Sequence, residues 1–304
     1  QGMLGHISMV FCGKWFFKNK GKAVAVANSG YTLAEAIMPT IFVALIGLLS
    51  WQVSWYVSII ISILILASVR LLAKTERNKG TSPQKENQQV GMLKKSWKRS
   101  EMLRSWVFWA AVPGLMTSPM ITTTLFFHQV HLVEIKSWDL STYVLFIPAY
   151  SAATLFSLYL IGYLVDKLST KIILPVFLFP LLSGLLLLSI ATSYLELLLI
   201  FILLGLSAGA YIVVYGTFFP EFFGSLYLGS VRTVGVTIMV FSSAIGPVLS
   251  GYFIDLGYLI DHQFKFFAAF SVFASLLFLT INLSVKLPEN CLLYTSDAAD
   301  EITG

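Results

Sequence analysis

Long apolar runs alternate with short polar connections along almost the whole chain. Two runs lie at roughly 23–49 and 53–73, a polar segment occupies roughly 74–104, and six more runs follow, at roughly 106–130, 142–165, 172–192, 195–219, 230–254 and 264–286. Each run is close to the length of about 20 apolar residues that an α-helix needs to cross a bilayer. The pattern predicts eight membrane-spanning helices, preceded at Met3–Cys12 by the last turns of another.

The composition argues against the main alternative, a large soluble helical protein. Hydrophobic residues make up 57% of the chain and charged residues only 12%, and the mean hydropathy is +0.81. A soluble protein would have to bury every apolar run with almost no polar face left for solvent. We therefore expect an all-α polytopic membrane protein whose main partner is the lipid bilayer.

The basic residues indicate the orientation of the helices. When successive connections are assigned to alternate sides, all of the 20 Lys and Arg residues except Lys136 and Lys265 fall on one side. Such residues mark the cytoplasmic side, which places the 74–104 segment in the cytoplasm and the protein in the plasma (inner) membrane. This rule accounts for the positive charge, so no nucleic-acid partner is expected.

The polar segment at 74–104 has the composition of a linker between two membrane bundles. Its second part, 91–104, carries apolar and basic residues that fit an amphipathic helix lying on an anionic membrane surface. A solvated linker is the alternative interpretation.

A ten-residue charged loop between two apolar runs carries the most informative motif. Gly162-Tyr-Leu-Val-Asp166-Lys167-Leu-Ser-Thr-Lys171 resembles the signature loop of the major facilitator superfamily, G-x-x-x-D-R/K-x-G-R-R/K. Gly162, Asp166, Lys167 and Lys171 match, whereas Ser and Thr replace the second Gly and the Arg. The residues themselves predict that Gly162 lets two helices approach closely and that Asp166 accepts hydrogen bonds at the start of the next helix.

Other stretches agree with this resemblance. Residues 14–23 are similar to the basic loop before the family's fifth helix, Gly47–Trp51 resembles its G-W-R motif without the Arg, and residues 219–247 resemble bacterial members distantly akin to monocarboxylate transporters. The family has two six-helix bundles, and this chain would span its fourth to twelfth helices. The implied divisions are the end of the N-terminal bundle (1–73), a linker (74–104) and a complete C-terminal bundle (105–290).

The two ends of the sequence do not resemble natural termini. The chain starts at Gln1 without an initiator Met, and residues 291–304 are similar to one reading frame of a transposase adapter used in preparing sequencing libraries. We expect residues 291–304 to be non-native and the natural protein to extend beyond Gln1.

Polar side chains in the 23–49 run are candidates for a solute or proton pathway. Glu35 lies near its middle, where a charged carboxylate costs at least about 2.5–3.5 kcal/mol unless it faces the bundle interior or water. Asn28, Tyr31 and Glu35 recur at helical spacing, which places them on one face. Because a buried carboxyl is protonated more readily than one in water, Glu35 is a candidate proton carrier. A structural carboxyl hydrogen-bonded to a neighbouring helix is the alternative.

The 106–130 run carries a second polar stripe that continues just beyond its end. Thr117, Thr124, His128 and His131 recur at intervals of seven or about 3.5 residues. Imidazoles are suited to contacts with a solute or a proton in the physiological pH range, although an interfacial His can also simply meet water.

The 195–219 run combines small and aromatic residues. Gly205 and Gly209 are expected to allow close helix packing. Tyr211 and Tyr215 lie four residues apart and are expected to face the cavity, with the lipid interface as the alternative.

In the resembled family, charged residues around the signature loop hold one conformation closed. Glu221 and Arg232 flank the next loop on the same predicted side, and we expect them to pair with each other or with Asp166 and Lys167. The resemblance therefore assigns the following residues to gating: Gly162, Asp166, Lys167, Lys171, Glu221 and Arg232.

The resemblance implies a secondary transporter that exposes a central site to the two sides of the membrane in turn. The expected partners are a small solute, for which an organic anion is one candidate, and a coupling ion, H⁺ or Na⁺. A monomer is expected. A protein of the same fold that senses or assembles without transporting is the alternative.

No residue pattern indicates an enzyme or a bound cofactor. Cys12 and Cys291 lack metal or disulfide spacing, and the four His residues lie in different segments. The chain has neither a Gly-rich phosphate loop nor a helical His-Glu-x-x-His pair. We therefore expect no catalytic residue, no cofactor, no metal and no ATP-driven transport.

Overall fold

A computed structural model of the protein describes residues 3–16, 19–78 and 90–285. These residues form the following helices: α1 (Met3–Trp15), α2 (Lys20–Leu48), α3 (Trp51–Asn78), α4 (Arg99–Met102), α5 (Trp106–Phe127), α6 (Gln129–Ile135), α7 (Leu140–Leu145), α8 (Ile147–Leu168), α9 (Thr170–Ile173), α10 (Phe179–Ile190), α11 (Tyr194–Phe223), α12 (Leu228–Asp255) and α13 (Ile260–Ser284). The expected tail at 291–304 lies outside the described residues.

The described helices confirm an all-α polytopic membrane protein. Six segments are long and apolar enough to cross a membrane: Trp51–Leu71, Trp106–Phe127, Leu140–Leu168, Tyr194–Phe223, Leu228–Asp255 and Ile260–Ser284. Three of the predicted runs are interrupted, the 106–130 run at His128, the 142–165 run at Phe146 and the 172–192 run at Leu174–Leu178. The 172–192 run is divided into α9 and the 12-residue α10, because Pro175 has no N–H to continue the helix.

The described residues divide into two compact units, and the larger contains residues 3–16, 19–30 and 90–285. Within it α11 packs against α8 and α10, while α5 packs against α12 and α13. The helices α11 and α8 approach closely at Gly209, where an added Cβ would overlap the Thr154 carbonyl oxygen of α8. Gly205 meets the Tyr150 carbonyl oxygen in the same way, which confirms that these glycines allow close packing.

The smaller unit comprises residues 31–87, of which 31–78 are described. It contains the rest of α2 and all of α3, and the rings of Phe42 and Trp55 meet edge to face at 6.1 Å between centroids. The side chains of α3 from Val53 to Leu71 are mostly Ile, Leu and Val, and most of them are exposed. An exposed apolar helix of this length is suited to contact with lipid.

The 91–104 segment does not form the amphipathic helix considered above. Only α4 is helical, with four residues, and the preceding residues form a loop docked on the end of α11. The backbone N–H groups of Met92 and Trp97 donate to the carbonyl oxygens of Glu221 (2.7 Å) and Phe223 (2.9 Å). These contacts satisfy carbonyl groups that the last turn of a helix leaves without partners.

Candidate gate and pathway residues

Asp166, near the end of α8, binds the first turn of α2. Its two carboxylate oxygens accept hydrogen bonds from the backbone N–H groups of Gly21 (2.7 Å) and Lys22 (3.0 Å). The first N–H groups of a helix lack intrahelical partners and lie at the positive end of its dipole, so a carboxylate stabilises them. The expectation that Asp166 serves the next helix in the chain is therefore wrong: its partner lies 145 residues away.

Gly162 allows this contact to form. An added Cβ on Gly21 would lie 2.1 Å from the carbonyl oxygen of Gly162, and one on Gly162 would lie 2.9 Å from that of Gly21. The prediction that Gly162 lets two helices approach closely is confirmed. The two helices are α2 and α8, and one turn separates Gly162 from Asp166.

The other motif residues surround this contact. The Lys167 ammonium lies 4.6 Å from the centroid of the exposed Tyr163 ring, and that of Lys22 lies 5.6 Å from it. Ser169, in place of the motif's Gly, has φ = 75° and ψ = 149°, a conformation that is strained for any residue with a Cβ. Lys171 is buried, with only 8% of its surface exposed.

Glu221 holds the start of α9, the position expected of Asp166. Its Oε2 accepts hydrogen bonds from the Ser169 hydroxyl (3.1 Å) and the Thr170 backbone N–H (3.0 Å). The Thr170 and Thr217 hydroxyls are 2.6 Å apart beside it. The last turn of α11 thus binds the α8–α9 loop through its side chains and the 90–98 loop through its backbone.

Arg232 does not form the expected ion pairs. Within the part of the chain that the structure describes, Arg232 forms no ion pair with Glu221 or Asp166, whereas Lys95 pairs with Glu101 and Lys136 with Asp261. The guanidinium carbon lies 5.1 Å from the centroid of the Tyr215 ring, and Nε and Nη1 have no hydrogen-bond partner in the described ranges 3–16, 19–78 and 90–285. The residue is 2% exposed, so it belongs to the interior rather than to a surface loop.

Tyr211 and Tyr215 lie one turn apart on α11, and the Tyr215 ring contacts Arg232 of α12. Their rings stack at 5.5 Å between centroids. The Tyr211 hydroxyl donates to the Leu115 carbonyl oxygen (3.1 Å), whereas the buried Tyr215 hydroxyl has no hydrogen-bond partner among the residues that the structure describes. Both residues are largely buried, at 8% and 5% exposure, so neither contacts the lipid interface in this conformation.

The α2 candidates differ in their surroundings. The Asn28 amide donates to the Val24 carbonyl oxygen (2.7 Å) and to Met9 Sδ of α1 (3.4 Å). Tyr31 and Glu35 are exposed and belong to the smaller unit. Because α2 is a continuous helix, Tyr31 and Glu35 lie about one turn apart on the same face, as their spacing predicts.

The α5 candidates are divided between packing and a groove. Thr117 and Thr124 are buried and donate to carbonyl oxygens of their own helix. His128 lies at the end of α5, and its Nε2 is 3.0 Å from the Pro247 carbonyl oxygen of α12. His131 is half-buried in α6.

His128 lines a groove of about 500 Å³ between α5 and α12. Thr123 and Asp255 also line it, and sequence reasoning identified neither of them. The carboxylate that ends the apolar 230–254 run was the available signal for Asp255.

Two groups of these residues lie at opposite ends of the larger unit. The Asp166 end contains Asp166, Glu221 and Arg232, and the His128 end contains His128 and Asp255. Arg232 and Asp255 are separated by 23 residues of α12, or about 35 Å at 1.5 Å per residue. Within the described residues, no group of three or more His, Cys, Asp or Glu side chains is placed to hold a metal ion.

Comparison with families of known proteins gives a match over most of the chain. The sequence profile of the Major Facilitator Superfamily matches residues 1–234, which include α1 to α11 and the first turns of α12. No curated protein sequence matches the chain.

Proposed function

Because the chain belongs to the Major Facilitator Superfamily, a family of membrane transporters, we propose that it is a secondary transporter that moves a small solute by alternating access. The observation that carries this proposal is the binding of the Asp166 carboxylate to the first turn of α2. This contact joins two helices at a point where a reversible break would open one end of a pathway.

The Asp166 end acts as the cytoplasmic gate in this proposal. Positive residues are concentrated there, in the α1–α2 connection and in the 90–104 segment, as expected of the cytoplasmic side of a plasma-membrane protein. Because Gly21 and Gly162 lack a Cβ, α2 and α8 can approach closely at this gate. Glu221 supports the gate by binding the α8–α9 loop, which directly follows the turn of α8 that contains Asp166.

Glu35 is the proposed coupling acid. It is a carboxylate within a long apolar helix, and such residues in membrane proteins mark ion and substrate pathways. A proton is the favoured coupling ion and Na⁺ the alternative, and an organic anion is the favoured solute.

Replacing Glu35 by Gln tests this role. The variant should lose accumulation of solute driven by an imposed pH gradient in proteoliposomes, because Gln cannot exchange a proton, while exchange of solute between the two sides continues. Glu134→Gln, which changes an exposed carboxylate of α6, is the control and should behave as wild type. Undiminished accumulation by Glu35→Gln would remove Glu35 as the coupling acid.

The transport function itself is tested by the same assay in the wild-type protein. Accumulation of a labelled solute that requires the ion gradient supports the secondary transporter. Binding of solutes without any accumulation or exchange would instead favour a sensing or assembly protein of the same fold.

A further inference from the structure

Arg232 is a buried cation without a counter-ion among the described residues. The side chain is 2% exposed, and two of its three guanidinium nitrogens, Nε and Nη1, have no hydrogen-bond partner. Burying an ionised group without an opposite charge is strongly unfavourable. Stacking on Tyr215 compensates only in part, since a cation–π contact contributes about 0.5–2 kcal/mol.

The titratable neighbours of Arg232 are neutral at physiological pH. Tyr211, Tyr215 and Cys12 are the groups close enough to influence its charge. Phenols and thiols ordinarily carry no negative charge at pH 7. The site thus presents a positive charge, free N–H donors and the unpartnered Tyr215 hydroxyl to whatever anion can reach it.

The side of Arg232 that faces α1 can become accessible when the gate opens. The α1 helix packs against both α11 and α12, and the buried Cys12 of α1 is near enough to Arg232 for their charged forms to interact. Arg232 is four residues, or about 6 Å, from the start of α12. Separation of α1 and α2 from α11 and α12, as alternating access requires, would expose it to the proposed cytoplasmic opening.

We propose that Arg232, with Tyr215, is an anion-binding subsite that holds the carboxylate of the transported solute at the inner end of the pathway. A guanidinium matches a carboxylate through two parallel N–H···O bonds, and the Tyr215 hydroxyl adds a third donor. The aromatic surroundings, Tyr211 and Phe219 beside Tyr215, favour a solute with one carboxylate and an apolar body. The inference that this carboxylate belongs to the transported solute rests on the proposed function. The inference that Arg232 binds a carboxylate does not.

The test compares carboxylates with their uncharged amides as ligands of the purified protein. The probes are acetate, hexanoate and benzoate, and acetamide, hexanamide and benzamide, with ligand-induced thermal stabilisation as the readout. At least one carboxylate should stabilise the wild-type protein while its amide does not. Arg232→Gln should weaken that binding by about 10- to 100-fold, which corresponds to losing hydrogen bonds to a charged group. Arg232→Lys should weaken it less, because the charge remains without the bidentate geometry.

Arg104→Gln is the matched control, since it removes an exposed Arg from the same end of the protein; it should bind as wild type. A measurement on the wild-type chain covers the case in which Arg232→Gln fails to fold. Phenylglyoxal modification of Arg232, mapped by mass spectrometry, should be slowed by the binding carboxylate and not by its amide.

The outcomes separate this inference from the proposed function. Equal effects of carboxylates and amides, or carboxylate binding that Arg232→Gln leaves intact, overturn the anion subsite even if the protein transports another solute. Charge-selective binding that depends on Arg232, in a protein that accumulates nothing, supports the subsite and contradicts the transporter.

Discussion

At the scale of single residues, two carboxylates hold the starts of helices, Asp166 at the first turn of α2 and Glu221 at the start of α9. Asp166 and Glu221 were both singled out, but the helix starts that they bind were not foreseen correctly. Spacing along the chain gives no information on a contact between residues 145 positions apart, such as Asp166 with Gly21. Arg232 was expected to pair with Glu221, Asp166 or Lys167 because it flanks the same loop region, and its burial follows only from the packing of distant helices such as α1 against α12.

Glu221 offers a direct test of the loop contacts. Glu221→Ala should lower the free energy of unfolding by about 1–3 kcal/mol, because the Thr170 N–H and the Ser169 hydroxyl lose their acceptor. Glu221→Gln keeps an acceptor oxygen and should cost less. Denaturant or thermal unfolding in detergent measures both.

Glu196→Ala is the control for this series, because Glu196 caps the opposite end of the same helix at an exposed site. It should destabilise the protein less than Glu221→Ala. Equal losses at the two positions would contradict a special role of Glu221 in holding the α8–α9 loop.

At the scale of elements, the positions of the helices followed from the sequence because apolar runs of this length have few alternatives in a membrane protein. The predicted runs correspond to described helices within a few residues. The interruptions at Phe146 and at Leu174–Leu178 accompany Pro148, Pro175 and Pro180, which the run lengths alone ignored. The amphipathic helix predicted for 91–104 was wrong, because the conformation of this segment depends on hydrogen bonds to carbonyl groups of α11 rather than on its own periodicity.

The contact between α2 and α8 can be tested with one methyl group. Gly21→Ala should force the two helices apart, since the new Cβ would meet the backbone of Gly162, at a cost of about 1–3 kcal/mol to the closed conformation. Alkylation of the buried Cys12 by N-ethylmaleimide should therefore be faster, measured with Cys291 replaced by Ser.

Gly229→Ala is the matched control, because no atom lies within 4 Å of the Cβ that it adds to α12. Its Cys12 should react at the wild-type rate. If Gly21→Ala also reacts at that rate, the close approach at Gly21 does not control the gate.

At the scale of the whole molecule, the two ends of the larger unit differ in how tightly their helices pack. The Asp166 end is closed by hydrogen bonds and helix packing, whereas the His128 end has a groove of about 500 Å³. Membership of a transporter family and the all-α polytopic architecture were predictable from the motif and the apolar runs. The groove and the buried cation were not, because each is formed by helices distant in the sequence.

Reciprocal accessibility of the two ends tests the central claim most directly. In proteoliposomes, the alkylation rates of Cys12 and of a cysteine introduced by Thr123→Cys in the groove would be compared with and without Asp166→Asn. We predict that Asp166→Asn speeds reaction at Cys12 and slows it at position 123, because releasing α2 favours the conformation open at the Asp166 end. Asp139→Asn, which removes a similar helix cap from α7, should change neither rate. If Asp166→Asn leaves both rates unchanged, or raises both together, the Asp166 contact is not the gate of an alternating-access transporter.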